Sequence, residues 1–255
     1  MRTGDLCHGV KPVRLVGYVG AMPYLQREGQ VFILQLGNRG ERDTENRFHP
    51  DWVGEMEALL DEVAAGSGPC GLVTIGDGKF YSTGFDVEWA ARNPERINEN
   101  VADLLRLFAR ILTLPIPTVA AINGHAYGAG AFLAVAHDHR IMRGDRGYVC
   151  FPGVTLGVNY APGMVELAQS QLPLPVARRA LVTGHRYGGT EAMTAGLVDS
   201  VADEHDLLKS AVEYAQSLAA TSGPALGHVK SSLYRNATAA LLGSVAEYNH
   251  DSAAG

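Results

Sequence analysis

The stretch Leu114 to Asp138, LPIPTVAAINGHAYGAGAFLAVAHD, constrains the fold more than any other part of the chain. Pro115 and Pro117 lead into an apolar run, Thr118 to Ile122, whose length and content suit a buried strand. Asn123-Gly124-His125 is a turn signal. From Ala129 to Ala136 every residue but Gly130 is apolar, which predicts a helix buried on all sides. The small-residue turn Tyr127-Gly128-Ala129-Gly130 at the start of that helix leaves backbone N–H groups unpaired, at the positive end of the helix. A carbonyl oxygen that becomes negative during a reaction would be stabilised there.

Other readings of the turn are weaker. Gly128-Ala129-Gly130 could open a dinucleotide fingerprint, but the sixth position is Leu133, and no Gly-Lys-Ser/Thr follows to make a phosphate loop. Close helix–strand packing would also explain small residues. A second turn of the same character lies upstream. Gly78 to Asp86, GKFYSTGFD, follows the apolar run Gly71 to Ile75 and precedes a helical segment beginning near Asp86. Two such strand–turn–helix units can clamp one carbonyl oxygen between them.

These paired turns, KFYSTGFD and PTVAAINGHAYGAGAFLAVAHD, resemble the signatures of the crotonase superfamily, the enoyl-CoA hydratases and isomerases. The likeness continues through ENRFHPDW, DRGYVCFPGVTLGV, ARRALVTGHRYGGTEAMTAGLVDS and KSSLY, from about Glu28 to Leu242. RFHPD, GKFYSTGFDVEWA and DRGYV look closest to the plant peroxisomal Δ3,Δ2-enoyl-CoA isomerase branch. The resemblance implies an α/β fold, a crotonase-type ββα spiral core with a helical C-terminal region. It implies oxyanion donors at the backbone N–H groups of Phe85 and Ala129. Ser82, Thr83, Gly84, Asp86, Tyr127, Phe132 and Gly153 would surround the substrate. Lys230, with Arg42 and Arg47 on the charged loop Gly37 to Pro50, would meet the CoA phosphates. A homotrimer or dimer of trimers is implied as well.

Within this frame, residues 1–23 read as an N-terminal appendage, with Met22 as a possible start and an extra strand around Val13 to Val19 as the other reading. Residues 24–200 form the spiral core and residues 201–255 the helical oligomerisation region. Asp51 looks like the N-cap of a helix carrying Trp52, Val53, Met56, Leu59, Leu60 and Val63 inward. Pro224 to Leu242 reads as one last helix. His137-Asp138-His139 resembles a metal cluster only superficially, because adjacent side chains at a helix–strand junction point different ways and no third ligand is suitably spaced. No metal or resident cofactor is expected; coenzyme A enters as part of the substrate.

The formal net charge of −6 argues against a broad nucleic-acid footprint. The odd, scattered Cys7, Cys70 and Cys150 imply neither a disulfide framework nor a zinc ribbon. No apolar run is long enough to span a membrane, and neither a signal-peptide core nor a Ser-Lys-Leu type address is seen. The chain therefore reads as cytoplasmic.

One group is missing from the implied site. Moving a proton on an acyl thioester needs an acid–base group beside the oxyanion hole. Members of the family place glutamates at positions that here hold Phe132 and Gly153, and the turn Asn159-Tyr160-Ala161-Pro162 offers no aspartate. Glu88, Glu166, His125 and Tyr127 are the candidates for a relocated base. Phe85, Tyr127, Phe132 and Phe151 would make an apolar acyl pocket. The expected role is binding of an acyl-CoA or enoyl-CoA thioester with Δ3,Δ2-isomerase or hydratase-type chemistry. The alternative is a non-catalytic acyl-CoA-binding protein, and a scaffold that uses no thioester stands third.

Overall fold

The computed structural model describes residues 22–243 and 245; residues 1–21, with the strand expected at Val13 to Val19, lie outside them. The described chain opens with the hairpin β1 (Tyr24–Glu28) and β2 (Val31–Gln35), followed by β3 (Arg47–Phe48) and α1 (Pro50–Ala65). Next come β4 (Gly71–Ile75), β5 (Phe80–Ser82), β6 (Gly84–Phe85), α2 (Val87–Arg92) and α3 (Ile97–Thr113). The central segment is β7 (Thr118–Ile122), β8 (His125–Tyr127) and α4 (Ala129–Val135), then β9 (His139–Arg143) and β10 (Val149–Cys150). After α5 (Pro162–Gln171) and α6 (Leu174–Thr183) lie β11 (Arg186–Tyr187), α7 (Gly189–Ala195), β12 (Ser200–Ala202), α8 (Leu207–Leu218), α9 (Pro224–Leu233) and α10 (Arg235–Leu241).

The repeated unit is a long strand, a short strand and a helix. Long strands assemble a six-stranded sheet, β1-β2-β4-β7-β9-β12, parallel except for the β1–β2 hairpin. Short strands build a second, four-stranded sheet, β11-β10-β8-β5, while β3 and β6 pair separately. This is the crotonase-type spiral. The period-2 alternation of the long strands sends side chains to both faces. Leu72, Ala120 and Met142 join the main core with α1, α3 and α4. Val73, Val119 and Ile141 point the other way, where α8 covers them with Leu207, Ala211, Val212 and Ala215. Both faces being covered explains why β7 is wholly buried, as its unbroken apolar run predicts.

Two local expectations need correction. The N-cap of α1 is His49, whose Nδ1 accepts from the Trp52 N–H at 3.4 Å, so Asp51 is a first-turn residue behind Pro50. Pro224 to Leu242 is two helices, broken at Tyr234, whose φ of −102° and ψ of 18° leave the helical region. The break turns α10 onto α5, where Gly163 lies so close to Leu241 that a Cβ would come within 2.6 Å of its Cα. Among the described residues, no helix is long and apolar enough to cross a membrane.

Candidate functional site

Asparagine side chains shape both turns. Asn46, in the left-handed region at φ 50°, donates from Nδ2 to Tyr81 O at 2.8 Å and accepts the Ser82 hydroxyl at its carbonyl, also at 2.8 Å. Asn123 accepts the Gly76 N–H at 2.9 Å and donates to Gly78 O and Phe80 O. It thereby ties the end of β4 to the end of β7. Ser82 accepts the Gly84 N–H at 2.9 Å, and Thr83 N–H donates to Glu45 O at 2.9 Å. Asp86 caps α2 by accepting the Trp89 N–H at 2.9 Å, and its own N–H donates to Phe48 O at 3.2 Å.

That last bond fixes an orientation. Successive N–H groups of an extended segment point to opposite sides. With the Asp86 N–H directed at β3, the Phe85 N–H points away from β3. Gly84 sits at φ 86°, and a Cβ there would come within 2.5 Å of Tyr127 O and 2.8 Å of the Ala129 nitrogen. Only glycine permits this approach. Across the contact, Gly128 adopts φ 53° and ψ −122° with no side-chain cap, and its carbonyl accepts from Ala131 and Phe132. The Ala129 N–H meets no acceptor among the described residues.

Phe85 and Ala129 both line one cavity of about 370 Å³. Thr83 and Gly128 flank them; Ile97, Val101 and Leu104 of α3, with Phe132 and Met164, form the apolar wall. Val87, Leu156 and Val158 line it as well, although they are exposed, so the apolar surface continues out to the mouth. Pro152, Gly153, Asn159 and Tyr160 complete the described lining.

The structure brings together only part of the expected residue set. Thr83, Phe85, Ala129, Phe132 and Gly153 face the cavity. Ser82, Gly84 and Asp86 lie behind it and hold the first turn. Tyr127 does not line it: its ring stacks on His125 at 5.2 Å, and His125 in turn contacts Phe80 and Tyr148. Burial, with Lys79, Arg146 and Arg186 nearby, holds the His125 imidazole below its ordinary pKa. Phe151 is fully buried behind Phe132, edge-on at 4.8 Å.

The relocated-base candidates fare no better. Glu88 is exposed and paired with Arg47 at 2.8 Å. Arg47 also holds Glu45, and these hydrogen bonds raise its pKa. Glu166 is exposed on α5 and does not line the cavity. Arg42 is exposed and pairs with Asp77 at 3.3 Å.

Lys230 requires the largest correction. It is 4% exposed, and its Nζ donates to Asp138 Oδ2 at 2.5 Å and to Ile116 O at 2.7 Å. Asp138 Oδ2 also accepts from the Thr118 N–H and hydroxyl. The cluster closes the entry end of β7, whereas the cavity opens beyond its exit end. Lys230 is a core ion-pair residue and not a surface cation; burial lowers its pKa and Asp138 partly restores it.

His137-Asp138-His139 does diverge. The buried His137 bonds Thr74 at 2.9 Å and Leu133 O at 2.8 Å, and burial takes its pKa down to about 3. His139 stacks on Tyr214 at 3.8 Å. No group of metal-ligating residues occurs among the described residues.

A site residue that the sequence reading missed is Tyr160. Its hydroxyl oxygen accepts the Gly153 N–H at 2.5 Å, and a Cβ on Gly153 would stand 2.5 Å from the phenol Cζ. Gly153 is not in the left-handed region. The ring, not the backbone, occupies the space of a side chain at that position. It also meets Phe132 edge-on at 5.3 Å. The phenol therefore stands between both positions where the family carries glutamate. The signal lies in the loop Asn159 to Pro162, which carries a phenol and no carboxylate.

Residues 27–251 match the enoyl-CoA hydratase/isomerase family. The chain is 35% identical over 222 residues to the peroxisomal enoyl-CoA delta isomerase 2 of Arabidopsis thaliana, covering 82% of this chain and 91% of that protein. It is 34% identical over 220 residues to enoyl-CoA delta isomerase 3 of the same plant, with the same coverage. Among solved structures, an enoyl-CoA hydratase/isomerase family protein of Pseudomonas syringae superposes with a TM-score of 0.81 at 23% identity, covering 89% of this chain and 96% of that one. A probable enoyl-CoA hydratase of Mycobacterium tuberculosis gives 0.78 at 22% identity, covering 88% and 92%. With the ββα spiral and the paired turns in place, the chain belongs to the enoyl-CoA hydratase/isomerase family, within the crotonase superfamily.

Proposed function

We propose that the protein binds a fatty acyl-CoA or enoyl-CoA thioester with its carbonyl oxygen between the N–H groups of Phe85 and Ala129, and that it carries out Δ3,Δ2-enoyl-CoA isomerase- or hydratase-type chemistry. One observation carries this reading: the two backbone donors belong to different turns, yet line the same apolar cavity. A thioester carbonyl gains negative charge as its α-proton leaves, and fixed N–H donors stabilise that charge without reorganising. The apolar wall from Phe132 to the exposed Val87 and Leu156 suits an acyl chain. The 35% identity to a plant delta isomerase favours isomerisation over hydration.

Arg42 and Arg47 remain the cations proposed for the CoA phosphates; Lys230, buried at the other end of β7, is withdrawn from that role. We also infer a homotrimer or dimer of trimers. Val229 and Leu233 on α9, one helical turn apart, and Leu242 beyond α10 are exposed apolar residues that a subunit contact would cover.

The second reading, a non-catalytic acyl-CoA-binding protein, is favoured by the lack of any carboxylate among the described residues that line the cavity. Calorimetric titration with dodecanoyl-CoA and an isomerase assay on a trans-3-enoyl-CoA test both readings. Saturable binding that Gly84→Ala abolishes, because the added Cβ collides with the Ala129 nitrogen, is the expected result. Wild-type protein that binds no acyl-CoA would end the thioester reading, and binding without turnover selects the second.

A further inference from the structure

Of the described residues lining the cavity, Tyr160 alone carries a titratable side chain. The others are apolar, glycine or proline, together with Thr83 and Asn159. Its ring fills the volume beside Gly153 and Phe132, and its oxygen is held by the Gly153 N–H at 2.5 Å. The donor in that bond is the backbone, so the phenol oxygen is the acceptor. The phenol is thereby placed by contacts on two sides, on the same cavity as the Phe85 and Ala129 N–H groups.

Resting on the thioester reading, we propose that the Tyr160 phenol is the acid–base catalyst of this site, in the place of the absent carboxylates. As phenolate, Tyr160 takes a proton from C2 of a 3-enoyl thioester. The electron pair of the broken C–H bond moves into the thioester carbonyl, and the Phe85 and Ala129 N–H groups hold the resulting oxyanion of the dienolate. The phenol then returns the proton to C4 as the C2–C3 double bond forms, which regenerates the phenolate. No external oxidant or co-reactant is required. Tyrosine is a recognised carrier for such a step, and an ordinary phenol ionises near pH 10, far above a carboxylate.

Arg47, Glu88 and Glu166 do not line the cavity. Arg47 and Glu88 neutralise each other at the first turn of α2, and Glu166 is exposed on α5. From α4 the neighbour is Phe132, and from the Pro152–Leu156 turn it is Gly153; neither titrates. With the phenolate as the base, turnover should follow its ionisation. It should rise with pH across roughly 7 to 10, where a carboxylate base would give a flat profile.

The test uses wild type, Tyr160→Phe, and protein carrying 3,5-difluorotyrosine at position 160, whose phenol is more acidic but nearly the same size. Trans-3-decenoyl-CoA is the substrate for turnover and dodecanoyl-CoA the ligand for calorimetry. Tyr160→Phe keeps the ring against Phe132 and Gly153, so its dodecanoyl-CoA Kd should stay within about threefold while turnover falls by about 10²–10⁴-fold. The fluorinated protein should shift the rising limb of turnover to lower pH, an effect that a space-filling role would not produce. Turnover by Tyr160→Phe within a few-fold of wild type would overturn the proposal, as would an unmoved limb in the fluorinated protein. Wild type that binds dodecanoyl-CoA but never isomerises would overturn the acid–base role and leave the thioester site standing. Failure of wild type to bind would remove the underlying reading itself.

Discussion

Gly153 and Tyr160 behave as one unit at the residue scale. A glutamate introduced at 153 has an acceptable backbone, but its Cβ would run into the phenol ring. Gly153→Glu alone should therefore displace Tyr160, destabilise the fold by roughly 1–3 kcal/mol through overpacking, and lose activity. Gly153→Glu combined with Tyr160→Ala opens the space and places a carboxylate in an apolar cavity, where burial raises carboxyl pKa values toward those of useful proton carriers. The double variant should isomerise a trans-3-enoyl-CoA measurably faster than Gly153→Glu, with a pH profile that no longer rises in the alkaline range. The empty carboxylate positions were legible in the sequence, because a motif states what should stand at a position. What fills the volume was not. Tyr160 is seven residues away along the chain and enters the site only through the three-dimensional path of the loop.

The spiral's elements were largely readable because their signals are local: a buried strand in Thr118 to Ile122, a buried helix after Gly128, an inward stripe on α1. The exceptions were decided by tertiary contact. No local signal marks Tyr234 as a break, since what bends the chain is the packing of α10 on α5. Lys230 likewise looks like a solvent-facing lysine near the end of a helix. Its partner Asp138 is distant in sequence: the register of β7 with β9 sets Asp138 beside Thr118, and α9 is held at the same end, where the Gly223 N–H donates to Pro115 O. That placement reverses the expected effect of changing it. Lys230→Met should lower the unfolding free energy by about 3–5 kcal/mol, as for a buried pair that loses one member. The affinity for dodecanoyl-CoA should stay unchanged at any ionic strength. Thermal unfolding and calorimetry on the same preparations check both halves; weaker binding that recovers at high salt would return Lys230 to the phosphate end.

For the whole molecule, the exposed Val229 and Leu233 set an expectation about assembly. Val229→Glu with Leu233→Glu should convert a trimer to monomers in sedimentation velocity while leaving circular dichroism unchanged; a wild type that already sediments as a monomer would refute the assembly. The stacking of Gly84 on the Ala129 nitrogen has a wider consequence. The atoms proposed to hold the oxyanion are main-chain atoms, which every amino acid other than proline supplies. A saturation library scored for acyl-CoA retention should therefore give an inverted map. The donor Phe85 would accept many replacements, whereas Gly84 and Gly130, which present no functional group, would accept almost none, since a Cβ on either meets the opposing backbone. In this architecture, the electrostatics depend on what is left out of two positions. An acid–base group such as Tyr160 can be exchanged without disturbing the donors.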